Sequence, residues 1–235
     1  MVWVKNGFNS FYIDETEVTN KKFHQFVKAT RYVTTAEKDF ILTNQLGKKI
    51  KQKKGSLVFY QPKNRVAANP TSWWVFIEGA DWRHPLGPNS SIKGLENHPA
   101  VHISWEDANS YATFYGKRLP TIEEWEVAAI SKKHQQQTGN IWQGIFPYLN
   151  SLKDGFLNTA PVRSFNPNDK GIYDLSGNVW EWCKEGNPDN KNEAAIKGGS
   201  FLCNNSYCTA YKNLTTRFAD KKSSFQHIGF RCVAN

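Results

Sequence analysis

The sequence predicts an α+β domain with little regular secondary structure, on three observations. Helix signals are few and end by about residue 131, after which the chain breaks into short apolar pieces separated by Gly, Asn, Asp and Pro. Nine tryptophans and sixteen glycines in 235 residues suit aromatics packed between irregular loops, with glycine making the tight turns. Finally, 39% hydrophobic residues can fill a core, and no repeat, low-complexity tract or Pro/Ser-rich linker divides the chain, so residues 1–235 read as one domain.

Taken in order, MVWVKNG reads as a strand and turn. It lacks the basic and apolar regions of a secretory signal, so the compartment stays open between the cytoplasm and a trimmed, exported chain. Phe11 to Val18 alternates in strand fashion and runs into a helix capped by Thr19 or Asn20, with Phe23, Phe26 and Val27 as its inner stripe. KKIKQKK, Lys48 to Lys54, holds five lysines and reads as a solvated surface loop, with docking of an acidic partner as the alternative. The formal charge of +9 comes with no nucleic-acid motif, so no nucleic-acid partner is expected. The next helix starts at Ser104, with Asp107 closing a capping box, Ala108, Tyr111, Ala112 and Tyr115 on one face and Gly116 at its end. A third starts at Thr121, with Glu124 in the box and Pro120 before it. No run of eighteen apolar residues offers a membrane span.

Two constellations could carry chemistry. Asn140 and Asp154, and then Asp174, Asn178 and Glu181 around a glycine, gather the hard oxygen donors that Ca²⁺ takes; spacing by itself favours turn caps, since no EF-hand pattern is present. Cys203 and Cys208 stand in C-x4-C spacing, which is not the knuckle of structural zinc. Two thiolates suit a soft, low-coordinate ion, above all Cu(I), while a disulfide or two ordinary thiols are the alternatives. His102, in AVHIS, reads as a packed strand residue, and His227 lies close enough in sequence to the cysteines to matter. No G-x-S-x-G elbow, Walker loop, Rossmann glycine pattern or H-E-x-x-H is present.

Together FYIDETEVTNKKFHQF, SWWVFIEGADW, HPAVHISWEDANSYATFYGKRLPTIEEWEVAA, GIYDLSGNVWEW, KGGSFLCNNSYC and HIGFRCV resemble the formylglycine-generating enzyme family, also called sulfatase-modifying factors, over most of the chain. GNVWEW and GFRC mark the superfamily broadly; GGS-x-x-C-x-x-S-Y-C is narrower. The resemblance implies a C-type-lectin-like variant fold stabilised by Ca²⁺. One calcium would be held by Asn140, the Ile141 carbonyl, Asp154 and the Phe156 carbonyl, the other by Asp174, Gly177, Val179 and Glu181, which reverses the preference for turn caps.

The implied activity converts a cysteine in a C-x-P-x-R segment of a sulfatase polypeptide to formylglycine, using O2 and copper held by Cys203 and Cys208. Ser200, Tyr207 and Ser224 match polar catalytic positions, and Trp73, Trp74, Trp180, Arg217 and His227 would bind the substrate. A monomer is expected. The chain departs from the family pattern at Asn204 and Asn205, where His-Arg is common. Thr216 stands where an arginine is expected, with Arg217 one place off, and His227 replaces an asparagine. The passage from the first strand to FYID is also short. Cys232 has Ala112 where its usual partner would be, so a free, buried thiol is expected there, and Cys183 matches no site. The rival readings are a related thiol oxidase with another substrate and a non-catalytic, calcium-stabilised binding module, like the gliding-motility lipoproteins of the superfamily.

Overall fold

Three capped helices are the regular part of the chain, and their first residues explain them. In the computed structural model, which describes residues 1–5, 7, 10–43, 47–62, 73–130 and 139–235, α1 (Asn20–Thr30) starts where the Thr19 side chain accepts from the Lys22 N–H, and it buries Phe23, Phe26 and Val27. Both α2 (Trp105–Phe114) and α3 (Ile122–Ala129) open on reciprocal capping boxes, Ser104 with Asp107 and Thr121 with Glu124. Residues 6, 8 and 9, on which the shortened N-terminal passage falls, and Ser72 of the SWWVFIEG stretch lie outside the described residues.

Among the described residues the strands are short and form two sheets and three two-stranded pairs. β1 (Val2–Val4) pairs with β2 (Phe11–Ile13), and β2 with the last strand of the chain, so the two ends share one sheet. The expected strand over Phe11 to Val18 stops at Ile13, because inward and outward residues cease to alternate. Asp14 turns in, accepts from Lys117 Nζ at 2.8 Å and the Cys232 N–H at 3.1 Å, and every residue from Thr16 to Asn20 is buried. The lysine-rich segment is solvated, as expected, but is not a loop: β4 (Lys49–Gln52) pairs with β3 (Phe40–Thr43). β5 (Gly55–Phe59) pairs with β6 (Trp74–Glu78), and β7 (Gly144–Ile145) with β8 (Leu149–Asn150).

The larger sheet has the order β11-β10-β9-β12, from β9 (Trp180–Gly186), β10 (Glu193–Lys197), β11 (Arg217–Asp220) and β12 (Ile228–Gly229), with β12 parallel to β9. The closing strand, β13 (Val233–Ala234), is the one on β2. Beyond the expected strands and turns the C-terminal part holds one helical turn, α4 (Ala210–Asn213). His102 is packed, but not in a strand: its φ is +58°, and Ser56 Oγ at 2.6 Å and the Pro85 carbonyl at 2.9 Å hold its ring. Aromatics fill the core as predicted, with Trp82, Trp125, Trp142 and Trp182 fully buried. No described helix is long and apolar enough to cross a membrane.

Candidate functional site

The cysteine segment leaves β10 through Gly198 and Gly199, at φ +92° and +77°. A Cβ on Gly199 would lie 3.1 Å from Tyr211 and 3.3 Å from Cys203 Sγ, so glycine is what lets the chain turn this close behind the sulfur. The loop between the cysteines is wound on Asn204, whose side-chain oxygen accepts from the Ser206 and Tyr207 N–H groups and whose carbonyl accepts from Cys208 N–H. This departure from the family pattern therefore has a structural role. Cys203 and Cys208, both buried, are joined as a disulfide, one of the alternatives that the spacing leaves open. Cys183 and Cys232 are free and buried, as expected for Cys232.

Both sulfur-bearing residues line a cavity of about 310 Å³. Ser200, Tyr207, Trp73, Trp74, Trp180, Arg217 and His227 line it as well, so the structure brings together these residues from five separate stretches of sequence. Thr216 turns to Lys197 Nζ at 3.1 Å while Arg217 faces the cavity, so Arg217 is the arginine available to it. Phe146, which the sequence reading missed, stacks on Tyr207 at 4.2 Å and meets Trp73 edge-on at 5.5 Å. Burial raises the Tyr207 hydroxyl pKa, keeping it a proton donor at neutral pH. The His227 ring lies 4.6 Å from Trp74, its Nδ1 is enclosed without a partner, and burial pushes its pKa down to about 3, so the imidazole is neutral. Ser224 is not at this cavity: it lines a neighbouring groove and donates to Ser56 Oγ at 2.8 Å.

The two oxygen-rich sets differ. Asn140 Oδ1 and Asp154 Oδ2 are buried with no hydrogen-bond partner, although their other polar atoms are engaged. Glu181, fully buried, accepts from Arg231 through both oxygens at 2.6 and 2.7 Å and from Trp125 Nε1 at 2.7 Å. Glu17, absent from the sequence-derived site, lies beside this group. Burial, Asp174 and Glu181 hold its carboxyl well above the usual range, and its Oε2 is unpaired. Burial raises Asp174 too. A charge in the middle of an apolar alternation, DETEV, was the available signal for Glu17, and the Arg of GFRC was the signal for its counter-charge. Among the described residues no group of three or more His, Cys, Asp or Glu side chains is arranged to hold a metal.

A loop-rich α+β domain in which a cysteine pair closes an aromatic cavity defines the class: residues 4–235 match the Sulfatase-modifying factor enzyme 1-like domain, and the chain belongs to that family. It is 38% identical over 257 aligned residues to the formylglycine-generating enzyme of Mus musculus, covering 97% of this chain and 66% of that protein, so it spans just under two thirds of that relative's length. It is 36% identical over 245 residues to a Bos taurus protein named inactive C-alpha-formylglycine-generating enzyme 2, covering 95% and 77%. The solved structure of PvdO from Pseudomonas aeruginosa superposes with a TM-score of 0.58 at 19% identity, over 96% of this chain and 80% of that one, which shows a shared fold.

Proposed function

We propose that this chain is a copper-dependent oxidase that converts a cysteine in a C-x-P-x-R segment of a sulfatase polypeptide to formylglycine. The observation that carries the reading is the placement of Cys203 and Cys208 on the wall of an aromatic cavity that also gathers Ser200, Tyr207, Arg217 and His227. The donor set fits Cu(I) in its reduced form: two soft sulfurs five residues apart, with Cα atoms 4.6 Å apart, facing a cavity. Copper bound there supplies a soft site for a third thiolate and the electron transfer that O2 reduction requires.

The protein's own groups do the rest. Trp73, Trp74 and Phe146 exclude water and give the substrate an apolar wall. The Ser200 hydroxyl accepts from the Leu202 N–H at 3.2 Å, which leaves its proton to donate to the substrate. Tyr207 is a second donor, and Arg217 supplies positive charge that favours the substrate thiolate. In the net reaction the thiol-bearing methylene of the substrate cysteine becomes an aldehyde and its sulfur leaves as hydrogen sulfide, a two-electron oxidation. O2 takes four electrons to give water, so a thiol reductant contributes the other two.

Calcium belongs to the same reading. The two unpaired buried oxygens of Asn140 and Asp154 fit a hard cation, with the Ile141 and Phe156 carbonyls completing the set. In the second set Asp174 and the Gly177 and Val179 carbonyls are the donors, since the Glu181 carboxylate is committed to Arg231 and Trp125.

The test is incubation of the reduced, copper-loaded protein with O2, a thiol reductant and a C-x-P-x-R peptide, read by mass spectrometry. Replacement of the thiol by an aldehyde is expected. Copper binding without conversion would favour another thiol substrate. Neither would leave the binding-module reading, which the bovine relative's name and Asn204–Asn205 support.

A further inference from the structure

Beside the cysteine cavity lies a second and larger groove, of about 630 Å³. Its apolar lining comes from Phe40 and Ile41 of β3, Leu57 of β5 and Phe76 of β6. The cavity and the groove share a floor. In the β5–β6 register Phe59 stands opposite Trp74 and Leu57 opposite Phe76. Directly opposed residues share a face, and so do residues two apart, so these four side chains occupy one side of the hairpin. Trp74 borders the cysteine cavity and Phe76 borders the groove, roughly 7 Å further along the strand. The segment after β11 repeats the relation, with Ser223 and Ser224 on the groove and His227 on the cavity. At about 3.3 Å per residue, an extended polypeptide that passes from Trp74 on the cavity to Phe76 on the groove covers that step in about two residues.

The rim is basic. Lys51 stands opposite Ile41 on β4, and Lys49, two residues before it, shares that face; both are exposed, and Lys222 lines the groove itself. Two carboxylates oppose them. Asp39 pairs with Lys51 at 3.2 Å, and Asp220 Oδ1 accepts from the Lys222 and Ser223 N–H groups of its own turn. Ser56 and Ser224 are satisfied by one another and by His102, which fixes the floor without offering a nucleophile.

We propose that this groove is a second docking site for the substrate polypeptide, taking an apolar side chain flanked by acidic residues a few positions from the modified cysteine. The proposal rests on the oxidase reading, and it gives the lysine-rich hairpin a task. The test compares a short C-x-P-x-R peptide with versions extended at either end by about seven residues carrying one Phe and three Glu, binding being read by fluorescence anisotropy on the reduced protein without turnover. One extension is expected to tighten binding about tenfold. That gain is expected to disappear in Lys49→Glu/Lys222→Glu and in Ile41→Glu, while the short peptide binds all three proteins equally. Ile41 is 65% exposed, so its substitution leaves folding intact. No gain from either extension, or a gain that survives both variants, would overturn the proposal. Absence of conversion of these peptides in the separate copper- and O2-dependent mass-spectrometric assay would count against the oxidase reading and leave the binding result standing.

Discussion

Arg231 is a fully buried guanidinium, held charged by Glu181, Glu17 and Asp174 despite the desolvation it suffers. Removing one partner of such a pair strands the other charge in a low-dielectric interior, at about 3–5 kcal/mol. Arg231→Met should therefore lower the urea unfolding free energy by about that amount, and a loss under about 1 kcal/mol would show that the carboxylates are not relying on it. At the cysteines the expectation is the reverse: Cys203→Ser and Cys208→Ser each abolish Cu(I) binding and leave the far-UV circular dichroism unchanged. Residues that carry chemistry in themselves, the cysteines and the tryptophans beside them, were legible in the sequence. Residues whose importance depends on their neighbours were not. Ser224 points away from the cavity because Ser56 offers it a partner, and Phe146 reaches Tyr207 across about sixty residues of chain; neither contact leaves a local pattern.

At the scale of elements, the helices were legible because their caps are local signals. Ser104, Thr121 and Thr19 each sit where the sequence placed them, and Thr121→Ala is expected to cost about 1 kcal/mol of stability by urea titration. The strands were less so. Alternation through Phe11 to Val18 predicted a strand more than twice as long as the one that forms, since the alternation does not register that Asp14 turns inward and ends the pairing. The lysine run became a strand because pairing with Phe40–Thr43 satisfies its backbone whatever its side chains are. Loops need staples in place of ladders, and the calcium proposed at the unpaired oxygens of Asn140 and Asp154 would be one of them. Calcium chelation should lower the melting temperature of the wild-type chain by several degrees and leave Asp154→Ala unmoved. Equal responses of the two proteins would remove the ion from that loop. Gly177 links the two proposed calcium sets: its φ is +85°, and a Cβ there would run into the Asn140 carbonyl oxygen, so Gly177→Ala should disturb both loops.

For the whole molecule, stability should depend on pH through His102. Burial pushes its pKa down to about 4, against an ordinary value of 6.5, so the unfolded chain takes up the proton first as pH falls. Stability is then full above pH 6.5 and is lost progressively between 6.5 and about 4, by on the order of 3 kcal/mol. His227, pushed down to about 3, acts with the same sign over this range, so His102→Gln should roughly halve the slope between pH 6.5 and 4, and an unchanged slope would assign it to other groups. The fold joins its two ends in one sheet and sets the cysteine cavity and the basic groove on one hairpin face, so that a polypeptide can lie across both. The central claim is that the cysteine pair, once reduced, is a copper site. Anaerobic titration of the reduced protein with Cu(I) against a chromophoric competitor tests it most directly. One tightly held equivalent, absent from Cys203→Ser, is the predicted result; affinity no greater than that of the serine variant would contradict it.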